Sequence, residues 1–209
     1  MVGSGSCCRR SPTNGSAVCC AARDSVRSAS APGKRPPTRT LTEKNRIRAL
    51  YRRCPPHRAV VCFDEWGPLE LKPLGGRAWA RQKRPQRVRA TYRRLPGTEQ
   101  FLAFYDVHAN CLNGVFRRRK RIHEVAEAFR RLRRCYPRRR LFVVLDNLHN
   151  VHDHPRFLTL LRHLRIPPVW TPTEASWINL IEAQFGVLKR FTLAHTDDPT
   201  HASRRRRIY

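Results

Sequence analysis

LFVVLDNLHN, residues 141–150, is the stretch on which the reading of this chain turns. Leu141 to Leu145 are apolar without interruption, the pattern of a central parallel strand covered on both faces. The run ends on an acid, Asp146. An acid at the edge of a core is costly and needs a partner or a metal ion. The same pattern stands upstream in VVCFDEWG (60–67), where Val60 to Phe63 end at Asp64. A third acid, Glu182, lies in TPTEASWINLIEAQF (171–185). There Ile178, Ile181, Phe185 and Leu188 recur at helical spacing, and Glu182 falls about 40° from Ile178, at the margin of that stripe.

Outward from these motifs, Phe101–Val107 and Cys111–Phe116 read as strands around His108-Ala109-Asn110. Residues 122–135 read as a helix with Ile122, Val125, Ala126, Phe129 and Leu132 on one face. Residues 155–164 predict a short helix, Val169-Trp170 a short strand, and residues 177–193 the last helix. Residues 41–53 predict a short basic helix, with Thr42 as its cap and Ile47, Leu50 and Tyr51 as its stripe. The stretch 67–97 is basic and broken by Gly and Pro, with Trp79 expected as an anchor. Trp66, Trp170 and Trp177 are expected as core or strand-end anchors, and Cys62 and Cys111 as small core residues. The order is strand, strand, strand, helix, strand, helix, strand, helix. It predicts an α/β fold, a mixed sheet flanked by helices in the order of the ribonuclease H-like fold. The division expected is 1–40 disordered or a non-native leader, 41–57 a basic helix and linker, 58–195 the folded domain, and 196–209 a basic tail.

Lys and Arg number 43 against 15 Asp and Glu, a formal net charge of +28. Such an excess calls for an extended polyanion, and nucleic acid is the first candidate. No long uncharged apolar run or lipidation signal points to a membrane. The eight cysteines form no C-x-x-C, which argues against a zinc ribbon, and no signal-peptide core is seen. The basic runs are 117–121, 130–134, 138–140 and 204–207. Singly they read as solvated faces; together they read as phosphate contacts. His149, His152 and His154 do not form one ligand face and read as polar residues at a helix start.

Each acid has a plainer alternative. Asp64 and Asp146 could cap the elements that follow, Glu182 could pair with Lys189 or Gln184, and Glu174 is a rival third acid. Three acids converging at a sheet edge would instead suit two-metal phosphoryl chemistry with Mg²⁺.

VVCFDEWG, VVLDNLHNVHDH and TPTEASWINLIEAQF resemble the three acidic motifs of the mariner-type insertion-sequence transposases, DDE superfamily endonucleases. The 35 residues between Asp146 and Glu182 are close to the family spacing. The resemblance covers roughly residues 58–195. It implies that Asp64, Asp146 and Glu182 are the catalytic, metal-binding triad on a ribonuclease H-like core, with two Mg²⁺ ions that Mn²⁺ can replace. The implied reaction is cleavage at transposon ends, then attack of the freed 3′-hydroxyl on target DNA. Asn147, His149, Trp177 and Asn179 are expected to line the site. Arg117, Arg118, Arg119, Lys120, Arg121, Lys189 and Arg190 are expected on the DNA backbone. Double-stranded DNA is the implied partner, a homodimer is left open, and the setting is a bacterial cytoplasm. The family's leading helix-turn-helix domains have no counterpart in the 57 residues before the core, so a truncated, non-autonomous copy is expected. The competing readings are a catalytically inactive basic DNA-binding protein and a ribonuclease H-type nuclease outside transposition.

Overall fold

Strand β1 (Arg58–Glu70) is the middle of a five-stranded sheet in the order β3-β2-β1-β4-β5. Strands β2 (Thr98–Asp106) and β3 (Cys111–Arg117) add to it antiparallel as a hairpin. Strands β4 (Arg140–Leu145) and β5 (Pro168–Trp170) add to the other side in parallel. Helix α1 (Thr38–Arg52) precedes the sheet, α2 (Ile122–Cys135) joins β3 to β4, and α3 (Pro155–His163) joins β4 to β5. A single 3₁₀ turn (Ser176–Ile178), α4 (Ile181–Val187), a π turn (Leu188–Thr192) and α5 (His201–Ile208) complete the chain. The computed structural model describes residues 38–53, 56–77, 79–85, 87–90, 97–146, 154–172 and 175–209. The expected leader over residues 1–40 therefore lies outside the described residues as far as residue 37.

Strand alternation builds two cores. Ala59, Val61, Phe63, Val143 and Leu145 face α2 and α3, where Phe129 meets Phe63, Phe104 and Phe157 at ring separations of 4.9, 5.4 and 5.1 Å. Val60, Cys62, Phe142 and Val144 face the other way, against Ile47 of α1 and against Ile178 and Ile181. The central strands are thus buried on both sides, as their unbroken apolar runs require.

Four local expectations give way. Helix α1 starts at Thr38, so Thr42 lies inside it and caps nothing at its start. Strand β1 runs on to Glu70, beyond the expected stop, because Leu69 and Glu70 find partners in Glu99 and Thr98 past an irregularity after Trp66. Trp79 is fully exposed and anchors nothing. The segment expected as a basic tail folds into α5, with Thr200 and Ser203 forming a capping box at its start. Its run is not a solvated face: Arg204 is buried on Asp198, Arg207 also reaches Asp198, and Arg205 pairs with Glu99. Cys62 is buried and Cys111 half-buried. No helix among the described residues is long and apolar enough to cross a membrane.

Candidate active site

Pairing between β1 and β4 sets the first two acids side by side. Arg58 pairs with Arg140 and Cys62 with Val144; the same register, continued two residues, brings Asp64 opposite Asp146. Equivalent positions of parallel neighbours share a face, so both carboxylates follow Cys62 and Val144 onto the side covered by α1 and α4. They stand where the parallel pairing ends, the edge at which open α/β sheets form sites. Asp64 is therefore not at the end of its strand, as expected, but at the end of its parallel ladder.

Both carboxylates are held. The Glu65 main-chain N–H donates to Asp64 Oδ1 at 2.7 Å, and the Thr171 hydroxyl donates to Asp146 Oδ1 at 3.0 Å. Thr171 is itself buried, and its N–H donates to the Leu145 oxygen at 2.9 Å, just past β5. Burial pushes the Asp64 carboxyl up to about 6; the Glu65 N–H opposes this, while the charges of Glu65, Asp146 and Glu182 add to it. Asp146 and Glu182 thus both lie within electrostatic range of Asp64.

Glu182 reaches this edge through α4. Ile178 and Ile181 are buried in the second core, with Phe185 and Leu188 packed against it, so the apolar stripe holds although the expected single helix breaks into three turns. Trp66, two residues past Asp64, stacks on Phe185 at 5.3 Å and 14°. Asn179, expected in the site lining, is buried, and its Nδ2 donates to the Phe63 oxygen at 3.0 Å. The Tyr51 hydroxyl donates to the Ile178 oxygen at 3.0 Å. Glu182 itself is exposed and, among the described residues, forms no ion pair with Lys189. Trp177 is largely exposed, with the Lys44 ammonium 5.7 Å over its ring. Asn147, His149, His152 and Glu174 lie outside the described residues, and His154 caps α3 by accepting the Arg156 N–H.

Sequence reasoning missed Thr171 and the anchoring roles of Tyr51 and Asn179. Thr171 follows the β5 strand directly, and a polar residue at a strand end beside two acids was the available signal.

Of the basic residues expected on DNA, three are engaged within the fold. Arg117 forks onto Glu127, Arg121 pairs with Glu124 at 2.9 Å, and Lys120 lies 3.5 Å from the buried Glu65 carboxylate. Arg118, Arg119, Lys189 and Arg190 are exposed. Strand β3 runs parallel to β1 across β2, so the run after it emerges at the same edge as Asp64.

Among the described residues no three His, Cys, Asp or Glu side chains close into a ready metal cage. The donor set still suits a hard divalent cation: aligned carboxylate oxygens that repel one another, one of them raised in part by that repulsion.

Residues 59–199 match the model of one family, described as DDE superfamily endonuclease. The chain belongs to the DDE superfamily endonucleases. All three acids fall within the matched residues of this endonuclease-family chain. No curated protein matches it. Solved structures similar to it in fold include the following three. The crystal structure of the Mos1 strand transfer complex is 15% identical, with a TM-score of 0.53, covering 90% of this chain and 58% of that one. The pre-cleavage Mos1 transpososome is 13% identical, with a TM-score of 0.54, covering 90% and 59%. The mariner Mos1 paired-end complex with Mg is 14% identical, with a TM-score of 0.54, covering 90% and 58%. The DDE-family chain spans under three fifths of the length of these structures and shares their ribonuclease H-like architecture, a mixed sheet flanked by helices.

Proposed function

We propose that this chain is the catalytic domain of a mariner-type DNA transposase, with Asp64, Asp146 and Glu182 as its reacting carboxylates. The observation that carries the reading is the register that sets Asp64 opposite Asp146, with the charge of Glu182 felt at Asp64. The reaction class is phosphodiester cleavage at transposon ends followed by 3′-hydroxyl transfer into target DNA. Its partner is duplex DNA, in a bacterial cytoplasm, and a homodimer is the proposed assembly.

Asp64, Asp146 and Glu182 would hold two Mg²⁺ ions, or Mn²⁺ in their place. Bound there, the ions would lower the pKa of an attacking oxygen and neutralise charge on the leaving one. The protein supplies the rest. Thr171 and the Glu65 N–H fix one oxygen of each aspartate, so the acids meet the substrate without first being ordered. Asn179 and the Trp66–Phe185 stack fix the helix that carries Glu182 against β1. The exposed Arg118, Arg119, Lys189 and Arg190 would take phosphates of the DNA backbone.

The test is nicking of supercoiled plasmid by the full chain in Mg²⁺, Mn²⁺ or EDTA, beside Asp146→Asn. Metal-dependent nicking that vanishes in the variant, with DNA binding retained, supports the reading. DNA binding by both proteins with no nicking by either would leave an inactive DNA-binding protein. Preferential cleavage of RNA–DNA hybrids would move the chain to a ribonuclease H-type nuclease.

A further inference from the structure

A cleft of about 740 Å³ lies at the sheet edge opposite the carboxylates. It opens where α2 and α3 end and where β4 and β5 begin. Six arginines line it: Arg133, Arg138, Arg139, Arg140, Arg162 and Arg165. Leu158, Leu161 and Ile166 form its floor, and no acidic residue lines it. Elsewhere the fold matches arginines with acids: Arg117 and Arg131 with Glu127, Arg121 with Glu124, Arg89 with Asp197, Arg205 with Glu99, Arg204 and Arg207 with Asp198. Among the described residues none of the six cleft arginines has a carboxylate partner.

Two helix C-termini end here and favour positive charge, which accounts for Arg133 and Arg162 in their last turns. The other four lie outside those helices. Arg138 and Arg139 precede β4, Arg140 begins it, and Arg165, at φ 54°, is the left-handed residue that closes α3, its N–H donating to the Arg162 oxygen and the Ile166 N–H to the Leu161 oxygen. Arg133 already donates to the Arg139 main-chain oxygen at 2.6 Å, which ties two of the arginine-bearing segments together. The Arg140 guanidinium lies 5.3 Å over the Phe142 ring; the other like charges around one hollow repel unless an anion lies among them, and guanidiniums fork onto phosphate oxygens.

We infer that this cleft is a second DNA-backbone site, binding duplex phosphates at the edge remote from Asp64 and Asp146. The inference rests on DNA being the partner, as proposed above, and not on catalysis. Strand β4 separates the two edges by roughly 20 Å at about 3.3 Å per residue.

The experiment is fluorescence anisotropy of the full chain with a 30-base-pair duplex across a NaCl series, for the wild type and the Arg138→Gln, Arg139→Gln, Arg162→Gln triple variant. Each lost phosphate contact removes about 0.9 from the slope of log affinity against log salt, so the triple variant is expected to be shallower by about 2–3. Replacing the same three arginines with Lys is expected to restore most of the slope. Arg81→Gln, Arg84→Gln, Arg87→Gln, which takes the same charge from an exposed segment, is expected to change it less. An unchanged slope in the cleft variant, or an equal change in the second triple, overturns the inference. So does loss of inorganic polyphosphate binding with an unchanged DNA slope, which would make the occupant a free polyphosphate. Should the variant not fold, dicarbonyl labelling of wild-type arginines read by mass spectrometry decides: DNA must shield Arg138, Arg139 and Arg162, and equal labelling with and without DNA overturns it. Asp146→Asn separates the two proposals, since it is expected to abolish nicking while leaving this slope intact.

Discussion

The Asn179 side chain donates to the main-chain oxygen of Phe63 at 3.0 Å, and so links the residue before Asp64 to the turn that leads into Glu182. The bond is buried. It ties the strand carrying one candidate acid to the turn before the helix carrying another. Asn179→Ala removes the donor and is expected to cost about 1–2 kcal/mol in urea unfolding. Nicking is expected to fall further than DNA affinity, because the charge that binds DNA is untouched while Glu182 loses its placement. Parallel losses in nicking and affinity would show that Asn179 serves folding alone.

Asp64 gives the protein a pH-dependent stability. Burial, with the charges of Glu65, Asp146 and Glu182, pushes its carboxyl from 3.8 up to about 6. An acid raised in this way holds its proton more tightly folded than unfolded. Its contribution is fully present below about pH 4 and is lost as pH rises through about 6. Asp64→Asn removes that penalty. In EDTA at pH 8 the variant is expected to be more stable by on the order of 2 kcal/mol, and at pH 4 the difference should vanish. Mg²⁺ is expected to raise the Tm of the wild type more than that of the variant. Thermal melts in EDTA and in Mg²⁺ at the two pH values check both statements; identical melts at pH 8 in EDTA would mean the Asp64 charge carries no penalty.

Phe185 holds the helix of Glu182 by stacking on Trp66. Phe185→Ala is expected to lower stability by about 1–3 kcal/mol, since both rings are only partly buried. It should also lower nicking well beyond any change in DNA binding. Phe185→Tyr keeps the ring and is expected to keep most of the activity. If Ala and Tyr reduce nicking equally, the stack does not position Glu182.

Arg204 is 3% exposed, donates to Asp198 at 3.3 Å, and also reaches main-chain oxygens of Glu70 and Lys72. Arg204→Ala leaves Asp198 buried with Arg207 as its remaining cationic partner. The expected loss is about 3–5 kcal/mol, which lowers Tm by roughly 10 °C. Arg206→Ala, on the exposed side of the same helix, is expected to change Tm by less than about 2 °C. Comparable losses from the two variants would place Arg204 among ordinary surface charges.

Much of the architecture is legible in local pattern. The apolar run Leu141–Leu145 is the strand next to the middle of the sheet, buried along its apolar length. The spacing of Val125, Phe129 and Leu132 gives α2 its buried face, and Ile178 and Ile181 dock the segment carrying Glu182. These hold because the periods of strand and helix are set by neighbours within a turn or two, and a face that repeats apolar residues must be covered. Asp64 and Asp146 stand out for a related reason, as charges that end an apolar run, and Glu182 as a charge at the margin of a helical stripe.

What the tertiary structure alone decided involves partners far apart in the chain. The strand-breaking look of Gly67-Pro68 hid the extension of β1, because Glu99 and Thr98, which pair with its last two residues, are supplied by another strand. The run Arg204–Arg207 reads as solvated in sequence because Glu99, the partner of Arg205, stands on a distant strand, and Asp198, though only six residues before Arg204, is buried against it by the fold. The six arginines of the cleft come from three separate stretches that meet only when α2 and α3 pack on the sheet. The alignment of Asp64 with Asp146 depends on a hydrogen-bond register between strands far apart in sequence. Sequence alone fixes which residues need burial or a counter-charge, since that follows from side-chain chemistry. Which group meets that need is decided by the packing of distant segments, which no local period encodes.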